Sequence, residues 1–228
     1  MPLIVFDLDG TLIDSRRDLA DSANELLDSY GAPPLPMDAI VAMVGEGARV
    51  LVRRALQASG LRAVPDDALA RFLEIYDRRL VVHTRPYPGI VDALHAAAPR
   101  ARLAVLTNKP QHHTDRLLDA LGLTGLFAAG IIGGDTALGR KPDPAGLVSL
   151  MTRASIGPAE TLMVGDSAVD LETAQRAGTG ICLALYGFAG LSEADAVTAQ
   201  AFVAREPTDM ASCLDAFLAA RPSGSKPT

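Results

Sequence analysis

Two aspartates separated by one residue, Asp7 and Asp9, follow an unbroken apolar run near the start of the chain. The run, residues 3–6, has the composition of a strand buried on both faces of a sheet. Alternate side chains of an extended segment point the same way, so the two carboxylates are expected to crowd one spot. Close carboxylates repel unless a cation or proton lies between them, and Mg²⁺ is the simplest oxygen-seeking cation. The pattern Asp-Leu-Asp-Gly alone is equally compatible with an ordinary loop.

Further polar side chains follow the strands predicted over residues 102–106 and 161–164, or lie in an adjoining loop. They comprise a hydroxyl, an amide, two carboxylates and a lysine: Thr107, Asn108, Asp166, Asp170 and Lys141. In open α/β sheets ligands bind outside the carboxyl ends of the strands. Together with the first two aspartates, this set can hold one divalent cation and one phosphoryl group.

The elements that must position these groups alternate between strand and helix after Pro88. The strands are predicted over residues 3–6, 102–106, 131–132, 161–164 and 181–185, with a possible sixth over 201–203. Helical patterns separate them, and Gly178 is placed to end the helix over residues 168–177. Such alternation predicts an α/β fold with a parallel sheet covered by helices on both faces.

Between the first and second strands the pattern is helical throughout, and no convincing strand is predicted over residues 11–85. Helices are predicted over residues 14–30, 37–44 and 48–58, and a fourth after Pro65. One crossover between parallel strands needs only one helix, so this block predicts a separate helical module. The predicted division is a catalytic core of residues 1–14 and 86–220, an all-helical cap of residues 15–85 and a disordered tail of residues 221–228.

Composition narrows the class of protein further. The 228 residues are 49% hydrophobic and carry a net charge of −6, which predicts a globular chain. The absence of a basic tract argues against nucleic acid as a partner. No secretory signal or apolar run of transmembrane length is recognisable, so we expect a cytoplasmic protein without a membrane partner. Cys182 and Cys213 lack metal-ligand spacing and are expected to be inert buried thiols.

The motifs, taken in order, resemble those of the haloacid dehalogenase superfamily of phosphohydrolases. The matching stretches are Asp7-Leu8-Asp9-Gly10-Thr11, Thr107-Asn108, Lys141-Pro142 and Gly165-Asp166-Ser167-Ala168-Val169-Asp170. Residues 44–48, 87–89, 108–110 and 133–135 further resemble phosphoglycolate phosphatases. The resemblance implies a Rossmann-like parallel sheet with strand order 3-2-1-4-5 and a cap inserted after the first strand.

The resemblance also implies a role for each motif residue. Asp7 would attack phosphorus and become an aspartyl phosphate, and Asp9 would protonate the leaving alcohol and then accept a proton from water. Lys141 would offset negative charge on the nucleophile and the phosphoryl group. Thr107 and Asn108 would bind the phosphoryl oxygens.

The implied cofactor is Mg²⁺. Its ligands would be Asp7, the backbone carbonyl of Asp9, and Asp166, while Asp170 would hold a metal-bound water or orient Asp166.

The implied substrate is a small phosphorylated metabolite, because a cap that closes over the site excludes large polymers. The loop Gly45-Glu46-Gly47 is placed to meet the leaving group, which for 2-phosphoglycolate carries a carboxylate that Glu46 would repel unless it is turned away. Sugar phosphates, pyrophosphate, a β-phosphoglucomutase-like phosphomutase and a non-enzymatic binding module remain alternatives. The chain is expected to be a monomer or a homodimer.

Overall fold

The computed structural model describes residues 1–61 and 63–220. The strands are β1 (Leu3–Phe6), β2 (Ile13–Asp14), β3 (Arg85–Pro86), β4 (Arg102–Leu106), β5 (Gly130–Ile132), β6 (Thr161–Gly165), β7 (Gly180–Ala184) and β8 (Phe202–Ala204). The α-helices are α1 (Arg16–Ser29), α2 (Met37–Val41), α3 (Ala48–Ala58), α4 (Ala68–Arg79), α5 (Ile90–Ala97), α6 (Gln111–Ala120), α7 (Ala145–Ala154), α8 (Ala168–Ala177), α9 (Glu193–Ala199) and α10 (Met210–Ala219). The predicted tail, residues 221–228, lies outside the described residues.

Six of the strands form a parallel sheet in the order β5-β4-β1-β6-β7-β8. The α/β fold is therefore confirmed, and the observed order contains the predicted 3-2-1-4-5 with β8 added at the edge. Phe6 lies opposite Val105 of β4 and Val164 of β6. This register brings the residues that follow β1, β4 and β6 to the same edge of the sheet.

The central strand β1 is wholly buried, which explains its unbroken apolar sequence. Ile4 and Phe6 belong to one hydrophobic cluster, shared with the helical block and α10. Leu3 and Val5 belong to a second cluster on the other face, shared with α7. Among residues 1–61 and 63–220 no helix combines the length and the apolar composition needed to cross a membrane.

Helices α1 to α4 lie between β1 and β4 in sequence, as the prediction of a helical block requires. The expectation that residues 11–85 contain no strand is wrong at one point. Strand β2 pairs antiparallel with β3, with Ile13 opposite Pro86 and Asp14 opposite Arg85. Two residues are too short for a period-two pattern, so this pairing of the outgoing and returning chain leaves no sequence signal.

Asp18 of α1 fixes the returning chain beside that strand pair. Its buried carboxylate accepts hydrogen bonds from the backbone N–H groups of His83 (2.9 and 3.0 Å) and Thr84 (2.8 Å) and from the Thr84 hydroxyl (2.8 Å). The base of the helical block is thus held by a charged acceptor with several donors.

We expect Asp18→Asn to destabilise the protein by roughly 1.5–3 kcal/mol, because an amide turns a donor toward groups that are all donors. Urea denaturation of the variant measures the change. Asp21→Asn is the matched control, because Asp21 lies on the same helix, is exposed and only approaches Arg17 at 3.8 Å. Equal stability of the two variants would contradict this role of Asp18.

Candidate active site

A cavity at the carboxyl ends of β1, β4 and β6 separates the sheet from the helical block. It encloses about 660 Å³, including the space at its mouth. Asp7, Asp9, Thr107, Asn108 and Asp166 line it from the sheet side, so the structure brings together most of the predicted residues. Helices α1, α3 and α4 contribute mainly apolar side chains, including Leu19, Leu51, Phe72, Leu73 and Tyr76.

Three buried carboxylates form the polar end of this region. One oxygen each of Asp7, Asp166 and Asp170 lies within 4.8 Å of the others. Lys141 reaches the cluster from its loop, with its Nζ 2.8 Å from Asp7 Oδ1 and 2.5 Å from Asp170 Oδ1. The side chains of Lys141 and Asp170 are 2% and 0% exposed, so this ion pair is sealed from solvent. The four residues come from three separate segments of the sequence, because Asp166 and Asp170 lie four residues apart.

The cluster contains three carboxyl groups and one ammonium group, and both burial and the excess of acidic groups affect the pKa values of its members. Burial raises the pKa of Asp7 to about 6, although the neighbouring Lys141 opposes the shift. Burial, with repulsion from Asp170 and Asp7, raises the pKa of Asp166 to about 8. Burial by itself would lower the pKa of Lys141, but Asp170 and Asp7 outweigh it and keep that pKa above its ordinary value. A further cation among these oxygens would therefore be stabilising.

The donor set fits Mg²⁺. Its ligand atoms are all carboxylate oxygens, which suit a hard cation. Asp7 Oδ1 is buried and, although close to Lys141, has no hydrogen bond from any described residue. Gly10 turns the chain beside the cluster at φ 86°, where a Cβ would collide with the Asp166 carboxylate. Glycine therefore allows this backbone to approach the cluster closely.

Asp170 is oriented by the start of α8 as well as by Lys141. Its Oδ2 accepts hydrogen bonds from the Ser167 hydroxyl (2.6 Å) and backbone N–H (3.1 Å), in a capping box. Ser167 therefore caps a helix. With one oxygen on Lys141 and the other on Ser167, Asp170 holds the lysine in the cluster.

Asp9 and Asp7 line the same cavity but are paired with different lysines, Lys109 and Lys141. The Asp9 carboxylate accepts hydrogen bonds from Lys109 Nζ (3.0 and 2.8 Å) and from the Ser15 hydroxyl (2.5 Å). It is not part of the three-carboxylate cluster, so its proposed contribution to the metal is restricted to the backbone carbonyl. The strand ends at Phe6 and the chain then turns, so the alternation of an extended strand does not apply.

Thr107 and Asn108 are buried side by side at the end of β4. The Asn108 side-chain amide donates to the carbonyl oxygens of Gly45 (2.9 Å) and Lys141 (3.0 Å). Both amide hydrogens are therefore engaged in a bridge between the Gly45 and Lys141 loops, and the binding of phosphoryl oxygens by Asn108 stays a prediction. The Thr107 hydroxyl accepts a hydrogen bond from the Lys109 backbone N–H (3.2 Å) and keeps its own hydrogen for a ligand.

The loop Gly45-Glu46-Gly47 meets the cavity only through its glycines. Gly45 and Gly47 line the cavity, whereas the Glu46 side chain is half exposed and pairs with Arg54 at 2.5 Å. The expectation that Glu46 faces the substrate is therefore corrected. Exposed carboxylates at a protein surface commonly form ion pairs with neighbouring lysine or arginine side chains.

Comparison with known proteins connects this geometry to a family. Residues 4–184 match the family described as haloacid dehalogenase-like hydrolase. The chain belongs to this family. The match extends from β1 through β7, so it contains the carboxylate cluster, Lys141 and the whole helical block. The predicted resemblance to this family is thereby confirmed.

Relatives within the haloacid dehalogenase-like hydrolases are similar over most of the chain. Phosphoglycolate phosphatase 1 of Pseudomonas aeruginosa is 42% identical over 192 residues, covering 82% of this chain and 70% of that protein. The phosphoglycolate phosphatase of Rhodospirillum rubrum is 42% identical over 194 residues, covering 81% and 80%. The crystal structure of a predicted phosphoglycolate phosphatase from Haemophilus somnus 129pt has a TM-score of 0.83 and 30% identity, covering 92% of this chain and 96% of that one.

Two residues of this hydrolase near the cavity, Lys109 and His113, were not among the predicted site residues. Lys109 is buried against Asp9, with its Nζ 4.6 Å from the centroid of the Tyr76 ring. His113 is buried and stacks on the ring of the same tyrosine, with 5.7 Å between the ring centroids, while His112 is exposed. Burial lowers the pKa of His113, so it is neutral at pH 7. The signal for Lys109 was its position directly after the strand-end pair Thr107-Asn108.

Proposed function

We propose that this hydrolase is a Mg²⁺-dependent phosphatase that converts 2-phosphoglycolate to glycolate through an aspartyl phosphate. The observation that carries the proposal is the buried cluster of Asp7, Asp166 and Asp170 with Lys141, at the end of a cavity sized for a small ester. The similarity to phosphoglycolate phosphatases supports the choice of substrate.

Asp7 is the proposed nucleophile. A carboxylate oxygen of Asp7 forms a bond to phosphorus, and the bond between phosphorus and the leaving oxygen breaks. Lys141, 2.8 Å from Asp7, offsets charge on the nucleophile and on the phosphoryl group as the bond forms. The Thr107 hydroxyl lines the same cavity and donates to a phosphoryl oxygen.

Asp9 is the proposed acid and base. In its protonated form, the Asp9 carboxyl group gives its proton to the leaving oxygen, which departs as the alcohol of glycolate, and Asp9 becomes a carboxylate. The same carboxylate then takes a proton from the water that attacks the aspartyl phosphate, and the bond between phosphorus and Asp7 breaks to release phosphate. Contacts with Lys109 and Ser15 hold Asp9 at the cavity wall during both steps.

Asp7, Asp166 and Asp170, with the backbone carbonyl of Asp9, would hold Mg²⁺. When bound, the ion neutralises carboxylate and phosphate charge together and polarises the phosphoryl group toward attack. The protein's own contribution is the dry cluster, whose members are at most 8% exposed.

A screen of small phosphate monoesters with Mg²⁺ tests the function. We expect phosphate release from 2-phosphoglycolate with a higher kcat/KM than from sugar phosphates, pyrophosphate or an aryl phosphate. Phosphate release is measured alongside isomer formation from glucose 1-phosphate. Isomer formation would instead identify a phosphomutase. Absence of phosphate release from every ester would contradict the proposal.

Metal binding is expected to depend on pH. Without metal, the pKa values of about 6 for Asp7 and about 8 for Asp166 mean that the folded protein holds protons that the unfolded chain has released. Raising the pH through this range therefore destabilises the metal-free protein, and Mg²⁺ must displace fewer protons at pH 8 than at pH 6. We expect chelation to abolish turnover, and the apparent Mg²⁺ affinity to rise about tenfold per pH unit for each proton displaced.

Calorimetric titration with Mg²⁺ between pH 6 and 8, together with melting temperatures in chelator, checks both effects. Asp166→Asn is the comparison variant, because it removes the carboxylate with the higher pKa and should flatten the pH dependence. Full activity after dialysis against chelator would contradict the assignment of Mg²⁺.

A further inference from the structure

Lys109 and Tyr76 form a polar pair on the cavity wall that the reaction described above does not use to bind substrate. Both residues line the cavity, and the Lys109 ammonium lies 4.6 Å from the centroid of the Tyr76 ring. Lys109 follows β4 of the core, whereas Tyr76 lies on α4 of the helical block. Their side chains meet across the cavity.

The Tyr76 hydroxyl is an unsatisfied donor. The residue is 2% exposed, and its hydroxyl faces the Lys109 ammonium, which is itself a donor and offers the hydroxyl hydrogen no acceptor. A buried hydroxyl left in this state costs free energy, so it indicates a missing acceptor.

Lys109 has one hydrogen beyond those that it donates to Asp9, and this hydrogen faces the Tyr76 hydroxyl. An ammonium carries three hydrogens, and the two oxygens of Asp9 accept hydrogen bonds from it at 3.0 and 2.8 Å. Among the described residues that line the cavity, Lys109 alone carries a cationic side chain. Lys141 is committed to Asp7 and Asp170 in the carboxylate cluster.

We propose that Lys109 and Tyr76 bind a carboxylate on the leaving group of the substrate, and so select α-phosphooxy carboxylates. The inference rests on the proposed phosphatase function and names the group that recognises its substrate. One carboxylate oxygen accepts a hydrogen bond from Lys109 Nζ, and the carboxylate satisfies the Tyr76 hydroxyl.

The chemistry of such a substrate matches the contact between Lys109 and Asp9. In an α-phosphooxy carboxylate a single carbon separates the ester oxygen from the carboxylate. The group that protonates the ester oxygen and the group that binds the carboxylate must therefore be neighbours, as Asp9 and Lys109 are at 2.8 Å. A sugar phosphate offers hydroxyls at this distance and leaves the cation without a charged partner.

The apolar surroundings of Lys109 and Tyr76 strengthen the discrimination between esters with and without a carboxylate. Leu19, Leu51, Phe72 and Leu73 line the cavity beside the pair and limit the water that would screen an ion pair there. Because Tyr76 comes from the helical block and Lys109 from the core, a bound carboxylate contacts both and favours their close approach.

Matched pairs of esters separate this role from any effect on catalysis. The pairs are 2-phosphoglycolate with ethyl phosphate and 2-phospho-L-lactate with isopropyl phosphate, in which a methyl group of similar size replaces the carboxylate. For the wild type we expect the carboxylate-bearing member to be preferred in kcat/KM. Lys109→Met, which keeps the stem against Tyr76, should reduce that preference about 10- to 100-fold, and Tyr76→Phe about 3- to 10-fold.

Tyr87→Phe is the matched control. The Tyr87 hydroxyl is also buried and without a hydrogen-bond partner in the described structure, but Tyr87 does not line the cavity. This variant should leave the preference unchanged. Melting temperatures check the fold of each variant, and Tyr76→Phe keeps the test decisive if Lys109→Met unfolds.

Binding constants provide a readout that does not need turnover. Calorimetry of 2-phosphoglycolate and ethyl phosphate on the Asp7→Asn variant, with and without Lys109→Met, should show the same loss of charge preference. Equal losses on both members of a pair, or no preference in the wild type, would overturn the role of Lys109 and Tyr76. Preference in binding without any phosphate release would instead overturn the phosphatase function and leave the carboxylate site standing.

Discussion

Asp7→Asn is expected to leave the fold intact and to lower turnover by at least about 10³-fold, because an amide does not attack phosphorus. The substitution changes one atom of a buried side chain and removes one of three clustered carboxylates. Since burial already raises the pKa of Asp7 to about 6, loss of this charge should not destabilise the metal-free protein at neutral pH. Phosphate release from 2-phosphoglycolate measures the effect.

Fresh protein is required for that measurement, because deamidation of the asparagine restores the aspartate. Asp119→Asn, an exposed carboxylate on α6, is the matched control and should retain full activity. Retention of more than about a hundredth of wild-type turnover by Asp7→Asn would contradict covalent catalysis through Asp7, since loss of a nucleophile usually costs orders of magnitude.

The carboxylate cluster was predictable because it depends on strand ends. Asp7 and Asp166 each follow an apolar strand that sequence alone locates, and neighbouring parallel strands place such residues at one edge. Asp170 follows Asp166 by four residues, and the capping box that Asp170 forms with Ser167 at the start of α8 fixes its position. Such local patterns predict positions in the folded protein, because a buried strand fixes the residues at its end.

The contacts of the residues in the cavity wall could not be predicted from the sequence as well as the carboxylate cluster could. The Asp9 carboxylate is held by Lys109 and Ser15, which lie outside its own segment. Lys109 also contacts the ring of Tyr76, which comes from the helical block. Periodicity predicts the helix that carries Tyr76 without indicating which residues of the core that helix would meet.

Glu46 illustrates the same limit at the surface. Its place between two cavity-lining glycines suggested that it faces the substrate, yet its side chain pairs with Arg54 of α3. Several arginines on that helix were available, and sequence spacing did not distinguish among them. The direction of one exposed side chain depends on contacts that local pattern does not encode.

Lys141→Met is expected to lower both stability and turnover. The substitution leaves Asp7 and Asp170 without the ammonium that lies 2.8 and 2.5 Å from them. Removing one partner of a buried ion pair typically costs about 3–5 kcal/mol, so the metal-free variant should unfold at a clearly lower urea concentration. Turnover should fall about 10²- to 10³-fold, because charge on the phosphoryl group is then offset less well.

The double variant Lys141→Met/Asp170→Asn separates the two effects. Its cluster has the same formal net charge as the wild type, because one positive and one negative group are removed together. Replacing both members of a buried pair is often nearly neutral, so stability should largely return. Turnover should stay low, because the phosphoryl group still lacks the Lys141 ammonium and the proposed metal site has also lost the Asp170 carboxylate. Recovery of turnover in the double variant would instead mean that Lys141 serves only to offset Asp170, and unchanged stability of the single variant would contradict the buried pairing itself.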